Sequence, residues 1–265
     1  MLSAREQLER QREFEPDSGP YAYSGDRFRV DPGRGDDPIL DALLAFTRPR
    51  DTWLDIGSGV GRYALPLARH VRRVVALEPE AEALAILEQD AERADIEGIE
   101  TLVSGWPMDG GTPPRVDGAL MAHVGYGVED IGVFLDAIES AASRVCVAVM
   151  GEGPMPIVPR LLWRAVHDEE RVVTPALPEL ISVLSSRGVP PTLAYAPRQP
   201  VTRSSPDGLV EIARRQLWVR AGSAKDERLT DAVRAMATQR DGRWALEWSM
   251  TRIGIASWEP AGAIS

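Results

Sequence analysis

The chain has 265 residues, 44% hydrophobic and 26% charged, with a formal net charge of −10. That length suits one large α/β domain, or a domain plus a cap, with enough chain to bury a sizeable core. The acidic balance argues against nucleic-acid phosphate as the main partner, because proteins that bind it display a basic face. All of its cations are arginine except Lys225.

The one cysteine, Cys146, sits in an apolar run, so no disulfide framework can form within the chain, and no Cys/His cluster has zinc spacing. The N-terminus is charged and lacks the apolar stretch of a signal peptide. No later run approaches the ~18 apolar residues of a membrane span. These features predict a soluble, cytoplasmic protein with no metal and no membrane partner.

Residues 3 to 15 have the composition of a polar helix, and a Gly/Pro/Asp-rich loop with Tyr21, Tyr23 and Phe28 follows. Asp37-Pro38 then opens a short helix carrying Ile39, Leu40, Leu43 and Leu44. Next comes Trp53-Leu54-Asp55-Ile56-Gly57-Ser58-Gly59-Val60-Gly61-Arg62. The run from Thr52 to Ile56 has the length and apolarity of a buried parallel strand. The three alternate glycines permit a sharp turn and close approach of a ligand. Apolar residues at Val60, Ala64, Leu67 and Ala68 carry the turn into a helix whose N-terminal N–H groups suit a polar or anionic ligand group.

A dinucleotide fingerprint needs G-x-G-x-x-G, which would put its third glycine at 62, where Arg62 stands. The observed D-x-G-x-G-x-G instead resembles motif I of the class I S-adenosylmethionine (SAM)-dependent methyltransferases. The resemblance implies SAM as cofactor, with Asp55, Gly57, Ser58, Gly59 and Gly61 around its methionine and ribose. It also implies that a segment before the motif folds over the cofactor. The aromatics at 21, 23 and 28 then have two readings, a lid or packing of the N-terminal arm.

The second strand, Val71 to Leu77, ends in Glu78-Pro79, and Glu78 lies 23 residues beyond Asp55. An acid at that distance, at the tip of the second strand, accepts hydrogen bonds from ribose hydroxyls. The resemblance places Pro79 beside it. A helix from Glu80 to Ala94 and a weak third strand, Ile99 to Val103, follow. Trp106 then stands where many family members carry an acid against the adenine amine; an indole can stack there and supply one N–H. Asp109 is a substitute for the missing acid.

Val116 to Ala122 reads as strand 4, whose tip the resemblance puts beside the transferable methyl. Ala122 and His123 are thereby assigned to the cofactor, and His123 and Tyr126 are the candidate catalytic residues. A helix from Glu129 to Ala142 and a fifth strand from Arg144 to Met150 complete the regular alternation.

Beyond Gly151 the pattern weakens. Gly151 to Pro159 is a loop, Arg160 to Glu170 a short helix, Leu177 to Arg187 a crossover helix, and Thr192 to Ala196 a strand. Ser205-Pro206 starts another helix, with proline at its first position. A second runs from Leu229 to Gln239, and Trp244 to Trp258 reads as one long last strand.

The strand–helix alternation predicts a parallel sheet with right-handed crossovers and a ligand at the carboxyl ends of its strands. The resemblance adds a Rossmann-like sheet of seven strands, order 3-2-1-4-5-7-6, with strand 7 antiparallel. The expected organisation is an N-terminal arm (1–50), a SAM-binding core (51–150), a wall loop with crossover helix and sixth strand (151–197), a helical cap (198–242) and the last strand with its tail (243–265).

The reaction expected is SAM-dependent methyl transfer to a small-molecule acceptor. Two rivals remain open at the level of sequence, a SAM-binding interaction module without catalysis and an NAD-dependent oxidoreductase.

Overall fold

The computed structural model describes residues 3–14, 29, 31–108, 111–153, 160–197, 202–246 and 252–261. Helix α1 (Ala4–Gln11) starts at a capping box in which Ser3 accepts from the Glu6 N–H and the Glu6 carboxylate accepts from the Ser3 N–H. Helix α2 (Pro38–Leu44) has proline in its first turn, and its Asp37 cap accepts from the N–H groups of Ile39 and Leu40.

The alternation follows: β1 (Thr52–Ile56), α3 (Ala64–Ala68), β2 (Arg73–Glu78), α4 (Ala81–Arg93), β3 (Ile99–Val103), β4 (Val116–Ala122), α5 (Ile131–Ala141) and β5 (Ala142–Gly151). After it come α6 (Arg160–His167), α7 (Leu177–Ser186), β6 (Thr192–Pro197), β7 (Thr202–Arg203) and α8 (Pro206–Gln216). The described chain closes with α9 (Ala224–Met236), β8 (Ala237–Arg240), β9 (Arg243–Leu246) and β10 (Arg252–Trp258).

The main sheet has seven strands in the order β3-β2-β1-β4-β5-β10-β6. β1 runs parallel to β2 and β4, β2 parallel to β3, and β4 parallel to β5, whereas β10 is antiparallel to β5. This is the expected order, with β10 in the place of the seventh strand. Every residue of β1 is buried, as in a parallel strand covered on both faces. Trp53 stands opposite Gly118 in the β1–β4 register, and a Cβ at 118 would come within 2.5 Å of its Cε2 atom. The indole occupies the space that the glycine leaves.

The expected long last strand, Trp244 to Trp258, is instead two elements. Trp244 to Leu246 belong to β9 of a separate three-stranded sheet, order β7-β9-β8, and only β10 joins the main sheet. The physical reason is the turn Asp241-Gly242, with φ of 49° and 74°. Both central residues take the left-handed region, as in a two-residue hairpin, and fold β9 back on β8. The helix expected through Gln239 accordingly stops at Met236, and the segment expected to be an all-helical cap contains strands.

The chain divides into two compact units. One comprises Pro16–Gly151, Leu177–Pro197 and Ile253–Ser265 and contains the seven-stranded sheet. The other gathers Met1–Glu15, Glu152–Ala176 and Arg198–Arg252. Its core packs Leu162, Trp163 and Val166 of α6 against Leu209 and Ala213 of α8 and Leu229 and Val233 of α9. Arg214 and Asp226 pair through two bonds, at 2.8 and 3.2 Å, fixing α8 to the start of α9.

Candidate cofactor and methyl-transfer site

The site is assembled at the carboxyl ends of β1, β2 and β4. Asp55, on β1, is buried, and Glu78 ends β2 with 1% exposure. Between these strands the turn is pinned to β2, because the N–H groups of Gly57 and Ser58 both donate to the Leu77 carbonyl, at 2.8 and 3.1 Å.

Gly57, Gly59 and Gly61 have φ of 70°, 54° and 88°, where a side chain is strained, but they face different surroundings. A Cβ at Gly57 would press on Val124 at 2.6 Å, and one at Gly61 on Leu87 at 2.8 Å; Gly59 has open space. The outer two serve packing, and the middle one leaves room for a ligand. The regular helix begins at Ala64, four residues later than the apolar pattern suggests, since residues 59–63 are a turn.

The electrostatics are those of two acids in one dry corner. Burial, reinforced by the Glu78 charge, pushes the Asp55 carboxyl up to about 7, against the pull of the Ala64 N–H. Burial also raises Glu78, which is partly offset by N–H donors from Gly59 at 3.0 Å and Glu80 at 3.2 Å. The Ser58 hydroxyl is buried without a hydrogen-bond partner. A ligand with cationic and hydroxyl groups fits this set: it neutralises two acids, occupies an orphaned hydroxyl and lies over an open glycine. SAM, with its ammonium, sulfonium and ribose diol, is such a ligand.

The remaining expected residues fall around the same strand ends. Pro79 follows Glu78 directly. Trp106, in the loop after β3, donates its indole N–H to the Phe134 carbonyl at 3.3 Å, so its ring face is what it can offer to an adenine. Ala122 ends β4.

His123 takes a left-handed φ of 59°, its N–H donates to the Val149 carbonyl at 2.8 Å, and its ring centroid lies 6.4 Å from that of Tyr63. Tyr126 is buried, and its hydroxyl accepts from the Gly151 N–H at 2.7 Å, tying the post-β4 loop to the end of β5. Tyr21, Tyr23, Phe28, Asp109 and residues 154–159 lie outside the described residues.

Two features escape the sequence reading. Tyr63 is buried beside His123, with the guanidinium groups of Arg34 and Arg62 at 6.0 and 5.7 Å from its ring centre. Arg34 donates to the Arg62 carbonyl at 2.9 Å and pairs with Asp37 at 2.8 Å, so residues 34–37 are fastened to the glycine turn. The signal available was weak, since an Arg three residues before an Asp is common in polar loops.

Comparison with known proteins agrees with this geometry. Residues 54–141 match the methyltransferase domain family. A candidate methyltransferase of Bacillus halodurans has a similar structure, with a TM-score of 0.59 and 14% identity over 86% of this chain and all (100%) of that one. The YcgJ protein of Bacillus subtilis gives 0.55 and 15%, over 84% and 98% of the two chains. The magnesium protoporphyrin IX methyltransferase of Synechocystis, with bound SAH, gives 0.52 and 11%, over 97% and 95%. At such identities the likeness is one of fold. No curated protein matches the sequence.

The sheet order and the glycine turn between two acids define a Rossmann-like methyltransferase fold. Within that fold, residues 54–141 are the part that matches the methyltransferase domain.

Proposed function

We propose that this enzyme methylates a small-molecule acceptor, with Asp55, Gly57, Ser58, Gly59, Gly61, Glu78 and Pro79 holding SAM and Trp106, Ala122 and His123 lining its adenine and methyl ends. The observation that carries the reading is the buried acid pair Asp55 and Glu78 about a glycine turn with an open centre. Glu78, raised by burial and already receiving N–H donors, is placed to take hydroxyl donors as well. Asp55 orders the turn and attracts an ammonium group.

When bound, SAM supplies an already activated methyl group. The protein's task is therefore proximity and alignment. A base is needed only for an acceptor that must lose a proton, and His123 at the tip of β4 is the residue we assign to it. Tyr126, held by the Gly151 N–H, we read as positioning the loop that carries His123.

A small acceptor, rather than nucleic acid, suits the net charge of −10. We place the reaction in the cytoplasm; among the described residues, no helix is long and apolar enough to cross a membrane.

The test is incubation of the full chain with methyl-labelled SAM and a desalted metabolite extract, followed by mass-spectrometric identification of labelled products. Label in a small molecule supports the proposal. Label only in RNA or protein fractions overturns the small-molecule assignment.

A further inference from the structure

The second unit holds a cluster that methyl transfer does not use. Trp163 and His167 are four residues apart on α6 and so share one face. Both are buried, at 1% and 8% exposure, and their ring centroids are 4.2 Å apart. The Arg171 guanidinium carbon lies 4.9 Å from the centre of the Trp163 ring.

Around this one indole, four buried nitrogens have no hydrogen-bond partner: Trp163 Nε1, His167 Nδ1 and Nε2, and Arg171 Nη1. Buried polar atoms are nearly always satisfied, so a concentration of orphans at one place marks a missing partner. The charge is orphaned too. Burial alone lowers Arg171, and among the described residues no acid offsets it. The Arg171 side chain is partly exposed, but its Nη1 atom is buried, and a buried cationic N–H without an acceptor is costly.

The chemistry of the partner can be read from the donors. Burial holds His167 down to about 4, helped by Lys225 and Arg228 and opposed by Glu169 and Glu13, so at neutral pH its ring offers one N–H and one lone pair. Trp163 and Arg171 add donors only.

The nearby charges are already engaged. Lys225 donates to the Gln11 carbonyl and side chain, and Arg228 to the Val166 carbonyl. Glu169 pairs with Arg10, and Glu13 accepts from Ser223 and the Arg220 N–H. What is left is one unpaired positive charge and an excess of donors. Water would satisfy donors but not the charge. A monoanion with two acceptor oxygens satisfies both.

We propose that Trp163, His167 and Arg171 form a binding site for the carboxylate of a small molecule. The site lies within the second unit and stands whether or not the assigned acceptor class is right.

The experiment uses the full chain labelled with ¹³C-histidine. It has three histidines, and the His167→Gln spectrum identifies the His167 signal. Sodium propionate and, separately, sodium phosphate are titrated at neutral pH and constant ionic strength. The expected result is a saturable propionate shift of the His167 signal, with affinity weakened about tenfold or more, some 1.4 kcal/mol, in Arg171→Gln.

Trp163→Phe, which removes a donor and keeps the aromatic packing, should also weaken binding and serves if Arg171→Gln fails to fold. Absence of a saturable shift, as with ordered water only, overturns the proposal. So does an unchanged affinity in a folded Arg171→Gln protein. Tighter binding of phosphate than of propionate overturns the carboxylate assignment.

Discussion

Burial and the neighbouring Glu78 charge raise the cost of ionising Asp55, and that gives the site a measurable pH dependence. The folded-state value of Asp55, about 7, exceeds that of an unfolded aspartate. The folded protein therefore holds an extra proton between about 4 and about 7, and its stability without cofactor falls as pH rises through that window. Asp55→Asn should flatten this slope in urea unfolding measured across pH.

SAM affinity should move the opposite way. Its cationic groups favour the ionised acid, so wild-type affinity should rise from about pH 6 to about pH 8, and the Asp55→Asn protein should bind weakly with little pH dependence. Calorimetric titration reads both. Glu78→Ala should weaken SAM about tenfold or more, roughly 1.4 kcal/mol, while leaving the far-UV spectrum unchanged. Unchanged affinity in both variants would remove the basis for assigning these residues to the cofactor.

Among the elements, the three glycines of one turn separate by what surrounds them. Gly61→Ala would press a methyl on Leu65 and Leu87 and should lower stability, whereas Gly59→Ala meets nothing within 4 Å. Only backbone strain, on the order of 1 kcal/mol, opposes the change at 59 in the protein alone, yet it should impair SAM binding. A stability loss at 61 and a binding loss at 59 would separate packing from ligand roles.

The β1–β4 pairing offers a sharper case. Gly118→Ala should destabilise by about 1–3 kcal/mol, because Trp53 is fully buried and has no room to retreat. Trp53→Leu in the same chain should recover much of the Gly118→Ala cost, a coupling that a double-mutant cycle in urea would measure.

At the base of β1, Asp51 accepts from Arg144, from the Arg48 N–H and from the Trp53 indole, closing a partly buried network. Asp51→Ala removes these acceptors, while the part-exposed Arg144 keeps the Phe46 carbonyl, and should cost about 1–3 kcal/mol in urea unfolding.

At the scale of the whole molecule, cofactor binding should stabilise the fold by mass action. Saturation near a hundred times Kd contributes about 2.7 kcal/mol, seen as a rise in Tm, and a tenfold weaker Glu78→Ala protein should lose about half of it at the same SAM concentration.

The alternation of β1 to β5 was legible along the chain because each element carries its own period, caps and turn residues, as with Asp37-Pro38 and Ser205-Pro206. The second unit was much less so. Its core joins α6 to α8 and α9, and no local pattern records which distant apolar faces meet. The Asp241-Gly242 hairpin was available as a signal, but the apolar run behind it reads equally as one continuous strand.

The sequence by itself determined the glycine turn, the acid at its head and the acid 23 residues on, because tight turns and strand ends are set by neighbouring residues. Tertiary structure decided that these two acids share one dry corner. It also decided that the Trp106 indole N–H and the Tyr126 hydroxyl are committed to backbone groups. And it brought Arg171 onto Trp163 with no acid in reach among the described residues. Burial and partner choice depend on what the rest of the chain brings to a residue, and that is fixed only when the chain has folded.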